Sequence, residues 1–217
     1  VSNVSINKIE FDIEHKRKTG IQIGTVMTDE KYRNRGLNKY LMEKVLHECK
    51  DQADFVYLFA NDSVLDFYPK FNFKEVEEYQ HSKTIDRYSG SSSWKKLNME
   101  DPTDVAFLMG RIKDSTPIAK ISMRHNASLI MFYCNSYKKS SIFYIKELDA
   151  IVIADFEGDT VYLDDIFSII PIEINNVIHS ISDKRILRVI LGFTPLDDSR
   201  FEKQLLQGTD MLFMLKD

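Results

Sequence analysis

The stretch Asp29–Tyr40, DEKYRNRGLNKY, decides the fold. It follows an alternating apolar run and precedes a helical pattern, so it reads as a strand end, a tight turn and a helix start. Arg33, Asn34, Arg35 and Gly36 fall where the turn becomes helix. A helix start carries unpaired N–H groups and the positive end of the helix dipole, which together favour an anion. Gly36 lacks a Cβ and lets that anion come close to the main chain. Arg33 and Arg35 add forked donors matched to phosphate oxygens. The stretch has the parts needed to hold a pyrophosphate.

Outward from this turn the pattern is regular. Residues 4–13, VSINKIEFDI, place apolar side chains at mostly alternate positions, as in a half-buried strand. HKRKTG reads as a polar turn closed by Gly20, and IQIGTVMT as the second strand of a hairpin. On the other side, residues 35–50 place Leu37, Leu41, Val45 and Cys49 at every fourth position, broadened by Tyr40, Met42 and Leu46, which predicts an amphipathic helix. The short apolar run 54–60, DFVYLFA, suits a strand covered on both faces. Asn61 or Asp62 then caps a short helix over 63–71, and 73–80 opens another strand.

YSGSSS (Tyr88–Ser93) is the best linker in the chain and predicts domains over 1–88 and 94–217. In the second half WKKLNM, SIFYIKE, AIVIADFEGDTVYLDDIFSI, RILRVILGFTP and DMLFMLK read as strands. Residues 100–113, 172–181 and 197–207 read as helices. Residues 54–78 and 185–215 share an order of elements, which suggests a diverged repeat.

Composition narrows the function. The chain has 217 residues, 43% apolar and 29% charged, with a net charge of −4. That is an ordinary globular balance, and it argues against a nonspecific nucleic-acid binder, which needs a basic face. Lys16–Arg17–Lys18 and Lys138–Lys139 read as solvated turns. Cys49 and Cys134 read as buried thiols of a reducing, cytoplasmic environment. No apolar run reaches the ~18 residues that span a bilayer. The five histidines (15, 47, 81, 125, 179) lack paired ligand spacing, so no metal is expected.

Residues 21–78 resemble the GNAT superfamily of acetyl-CoA-dependent N-acetyltransferases. The family's phosphate turn, Arg/Gln-x-x-Gly-x-Gly/Ala, stands here as Arg33-Asn34-Arg35-Gly36-Leu37-Asn38, with Asn38 in place of the small residue. The family's next strand–helix unit, Asn followed by Phe/Tyr-Tyr and Gly-Phe, stands as Asn61, Phe67-Tyr68 and Asn72-Phe73. Asn72 replaces glycine and tolerates the left-handed conformation better than most residues. The resemblance implies an α/β (α+β, mixed-sheet) fold in two tandem GNAT-like units. In the first, Val26, Met27 and Thr28 would pair with the pantetheine arm. Arg33, Asn34, Arg35, Gly36, Leu37 and Asn38 would hold the pyrophosphate, and Asn61 would help hold the coenzyme. Tyr68 would act as the acid that protonates the leaving thiolate.

The acceptor implied is a small-molecule amine or a peptide N-terminus, attacking directly. The reading leaves room for a homodimer and includes no nucleic-acid or membrane partner. A noncatalytic CoA-binding or scaffolding module is the alternative. Glu10, Asp12 and Glu14 could face the cleft as bases but read better as a solvated face, and Asp217 carries little weight. The family places a strand and two helices before the hairpin, which here starts at about residue 4, so the first unit is expected without them. The second half carries Leu163-Asp164-Asp165-Ile166 where a phosphate turn would fall, and two carboxylates there would repel a diphosphate. It is expected to be a degenerate unit, whose Asp164, Asp165 and Glu173 could attract a cationic amine.

Overall fold

The computed structural model describes residues 1–85, 94–208 and 210–215. The chain forms two compact units, Val1–Glu78 with Leu205–Asp217, and Tyr79–Gln204. The boundary expected at Tyr88–Ser93 lies outside the described residues, as does Asp217. The observed grouping does not follow a single cut at that point, because Leu205–Asp217 joins Val1–Glu78.

In the first unit β1 (Ser2–Ile13) and β2 (Lys16–Thr28) form a long hairpin. The expected HKRKTG turn is shorter than predicted. Only Glu14 and His15 turn, both at positive φ (47° and 66°), and β2 begins at Lys16. Cross-strand pairing accounts for this, because Asp12 faces Arg17, whose guanidinium also reaches Glu10, so charge complementarity extends the ladder. Gly20 therefore lies mid-strand rather than at a turn. A Cβ there would sit 2.7 Å from the rings of both Phe11 and Phe55, which pack 5.4 Å apart over it. Gly20→Val is expected to cost about 1–3 kcal/mol by overpacking these rings. A lowered denaturant midpoint at unchanged slope checks this.

From β2 the chain passes through a 3₁₀ turn (Glu30–Tyr32) into α1 (Leu37–Cys49) and returns as β3 (Phe55–Asn61), parallel to β2. Met42 and Cys49 anchor the buried face of α1 on Ile21, Ile23, Val56, Leu58 and Ala60. Tyr40, expected on that face, is exposed. The predicted helix 63–71 resolves into two 3₁₀ turns, Asp62–Val64 and Tyr68–Phe71. Pro69 interrupts a longer helix, and Asn72 ends the second turn at φ 67°. β4 (Lys74–Glu75) follows.

The second unit contains β5 (Tyr79–Thr84), β6 (Trp94–Lys96), α2 (Pro102–Asp114), β7 (Ile121–Arg124), α3 (Ala127–Asn135), β8 (Ile142–Ile145), β9 (Ala150–Glu157), β10 (Thr160–Ser168), α4 (Ile174–Ile181), β11 (Arg188–Leu191) and β12 (Glu202–Leu205). Successive residues of β9 enter two different cores. Ala150, Val152 and Ala154 pack with Val177, Ile178 and Ile181 of α4, whereas Ile151 and Ile153 pack with Leu108 and Ile112 of α2 and Ile130 and Cys134 of α3. Burial on both faces explains the unbroken AIVIA run. The helix expected over 197–207 is absent. Ser199 N–H donates to Asp197 Oδ1 and Phe201 N–H to Asp198 O, a local turn that delivers the exposed strand β12 instead. β7 and α3 were not anticipated, because ISMRHNASLIMFYCN shows neither clean period.

The last strand, β13 (Asp210–Leu215), runs antiparallel to β3 and lies between it and β4. Within the first unit the strand order is thus β4–β13–β3–β2–β1. The second sheet reads β12–β5–β11–β10–β9–β8–β6. Each sheet contains an antiparallel hairpin (β1/β2, β9/β10), then a parallel neighbour (β3, β11), then an antiparallel strand. That last strand comes from the other half of the sequence: β5, after β4, joins the second sheet, and β13, after β12, joins the first. The two sheets share this order of strand directions, and the exchange moves the unit boundaries away from the linker. No helix among the described residues is long and apolar enough to cross a membrane.

Candidate active site

β2 forks from β3. The two strands pair from Gly20–Phe55 to Ile23–Leu58, and no pairing continues beyond that point. On its other side β2 stays paired with β1 to Thr28, through a bulge in which Thr25 and Val26 face one residue, Val4. Thr25 sits at φ 50°, and the bulge bends β2 away from its neighbour. Residues 24–28 therefore present a strand edge with no strand partner, which an extended ligand can pair with.

At the end of this edge the chain turns through Asn34 (φ 61°) and Gly36 (φ 73°) into α1. Gly36 is the N-cap residue, no side chain caps the helix, and no acidic residue occupies its first turn. The first N–H groups of α1 are left for an anion. The position of a Gly36 Cβ has nothing within 4 Å, so the approach is open. Arg33 donates from Nε to Thr28 O at 3.3 Å, which holds it against the strand end. Arg35 instead donates to Lys31 O and stacks over the Tyr32 ring.

Asn38, the departure from the usual small residue, bridges three elements. Its side chain meets Ser2 Oγ at 2.7 Å and Thr28 Oγ1 at 2.8 Å. The first turn of α1 is thereby clamped to the ends of β1 and β2, a role that neither glycine nor alanine could fill.

Two adjacent cavities follow the released edge. The first, about 580 Å³, is lined by Val26, Met27, Thr28, Arg33, Asn34, Gly36, Leu37 and Asn38. The second, about 530 Å³, is lined by Val26, Asn38, Asn61 and Tyr68, with Gly24 and Thr25. Both are bordered by Val26, Asn38, Ser63, Val64 and Phe67. Of the residues proposed from sequence, only Arg35 lines neither cavity. Ser63, Val64 and Lys39 were missed. Ser63 could have been found through Asn61, whose Oδ1 accepts from Ser63 N–H (3.1 Å) and Ser63 Oγ (2.5 Å), fixing the turn after β3.

Tyr68 is buried against Phe67, Phe73 and Phe213, with ring centroids 5.3–6.2 Å apart. Burial raises its phenol pKa, so the proton stays on at neutral pH. Among the acids considered as bases, Asp12 lies opposite Arg17, whose guanidinium also reaches Glu10, and Glu14 is in the hairpin turn.

The forked strand, the uncapped helix start and the phenol all border these two cavities. Residues 1–76 match the family model described as Acetyltransferase (GNAT) domain. No curated protein matches the chain in sequence. Solved structures with a similar fold include a GCN5-related N-acetyltransferase from Kribbella flavida (15% identity, 99% of this chain and 56% of that one, TM-score 0.59). Another is a conserved Enterococcus faecalis protein described as a probable N-acyltransferase (14%, 98% and 58%, TM-score 0.63). A third is a GCN5-related N-acetyltransferase from Anabaena variabilis (11%, 97% and 58%, TM-score 0.57). At these identities the likeness shows the fold alone. The chain spans a little over half the length of these three proteins.

Proposed function

We propose that the first unit binds acetyl-CoA and transfers its acetyl group to an amine by direct attack. One observation carries this reading: two cavities meet along the released edge of β2, with an uncapped helix start in one and a buried phenol in the other. The residues fit the coenzyme. The N–H groups of Leu37, Asn38 and Lys39, with Arg33 beside them, would hold the diphosphate, and the main chain of Val26–Thr28 would pair with the amide-bearing arm. Asn61 borders the second cavity and would help hold the arm there.

When the amine attacks the thioester carbonyl, the C–S bond breaks and a thiolate leaves. Tyr68 would donate its proton to that sulfur, the proton shed by the attacking nitrogen would restore the phenol, and a phenol kept protonated by burial suits this task. N–H groups near Met27 and Thr28 would polarise the carbonyl. Holding both reactants in one fork supplies much of the acceleration by proximity.

The test is thiol release from acetyl-CoA by the full chain across a panel of amines, amino acids and peptide N-termini, beside the melting temperature with coenzyme A. The reading predicts a raised melting temperature and release that requires an amine. Stabilisation without release across the panel would leave a noncatalytic binding module. No stabilisation would remove the coenzyme reading altogether.

A further inference from the structure

The second unit repeats the fork without the phosphate turn. β10 pairs with β11 up to Leu163–Leu191, Gly192 N–H donates to Leu163 O at 2.9 Å, and the β9–β10 register slips at Asp164. Past this point the chain fills the gap with its own backbone. Thr116 N–H donates to Ser168 O (2.7 Å), Lys120 N–H to Thr194 O (2.9 Å) and Leu196 N–H to Ile118 O (3.1 Å). The strand edges that the first unit leaves open are here occupied by residues 116–120.

A cavity of about 250 Å³ remains beside this segment, with Asp164 and Asp165 in its lining. The two carboxylates differ. Asp164 pairs with Lys138, which also holds Asp155. Asp165 has no cation: Oδ1 accepts the Ile166 N–H at 2.9 Å, and Oδ2 has no partner among the described residues. Asp165 is partly buried, and the cavity gives access to it. Burial raises its pKa to about 7. A partly buried carboxylate without a cation carries a desolvation cost, and a cation delivered through the cavity would offset it.

We propose that this cavity binds a small monocationic amine, with its ammonium on Asp165 and its alkyl chain against Ile118, Ile130 and Phe193. The rest of the lining favours this class. An apolar cavity of roughly 150 Å³ accommodates benzene, so this one has room for a chain of about four to six carbons. The carboxylates disfavour a phosphate. Lys113 also lines the cavity and is exposed, so a second positive charge on the ligand would meet repulsion there. Arg124 donates to Ser115 O at 3.2 Å. The site is independent of the coenzyme reading, and its test contains no coenzyme.

The test is an amide-resolved NMR titration of the full chain with n-pentylammonium chloride at pH 8. 1-Pentanol serves as the neutral isostere and ammonium chloride matches the ionic strength. The Ile166 amide, bonded to the Asp165 carboxylate, is the reporter. Saturable shifts at Ile166 and Gly192 are expected with pentylammonium, with at least tenfold weaker binding to 1-pentanol and to Asp165→Asn. Equal binding of pentanol would make the cavity merely apolar and overturn the proposal. So would unchanged affinity in Asp165→Asn, or shifts confined to residues around Tyr68.

Discussion

Replacing Gly36 by aspartate is expected to weaken coenzyme A binding at least 100-fold while the chain still folds. Gly36 occupies the left-handed region at φ 73° and ψ 10°, with open space where a Cβ would stand. Aspartate is one of the few residues that visit this region, so the backbone cost is small, on the order of 1 kcal/mol. The loss comes from two other effects. An aspartate at the N-cap position bonds the first N–H groups of the helix, the donors a diphosphate needs. It also puts a negative charge beside the phosphates. Together these need about 3 kcal/mol to give a 100-fold change. Gly36→Asn keeps the left-handed tolerance and the competing cap but adds no charge, and is expected to lose about tenfold. Calorimetric titration reads both effects, and melting without coenzyme confirms the fold.

Replacing Tyr68 by phenylalanine is expected to reduce kcat by about 100-fold with little change in coenzyme affinity, the usual scale for losing a positioned acid. The ring would keep its contacts with Phe67, Phe73 and Phe213, so the fold and the cavity wall survive. Because burial raises the phenol pKa, the wild-type proton stays in place from pH 6 to 9, and the deficit of the variant should be constant across that range. Unchanged kcat with a raised KM for the coenzyme would make Tyr68 a wall of the pocket and nothing more.

Most of the first unit was legible in the sequence because its signals are local. Apolar periodicity gave the hairpin, the helix and the apolar strand, and the Arg-Asn-Arg-Gly turn lies where the strand edge ends. Asn61 was legible as a cap, and Asn72 as a left-handed turn residue, each through the chemistry of one side chain. What escaped depends on distant partners. Gly20 looks like a turn residue until Phe55, thirty-five positions away, is seen packed over it. The exchange of β5 and β13 follows from pairing with β11 and β3, which no local pattern reports. Arg35 carries the same charge as Arg33, yet the neighbouring Tyr32 ring takes it away from the cavity. The role of Asn38 needs Ser2 and Thr28 beside it.

The most direct test is a crystal of the full chain soaked in coenzyme A. The account predicts a diphosphate on the main-chain N–H groups of Leu37–Lys39 beside Arg33, with the pantetheine arm paired to Val26–Thr28 and its sulfur within reach of Tyr68. Coenzyme bound elsewhere while the fork between β2 and β3 stays empty would contradict it.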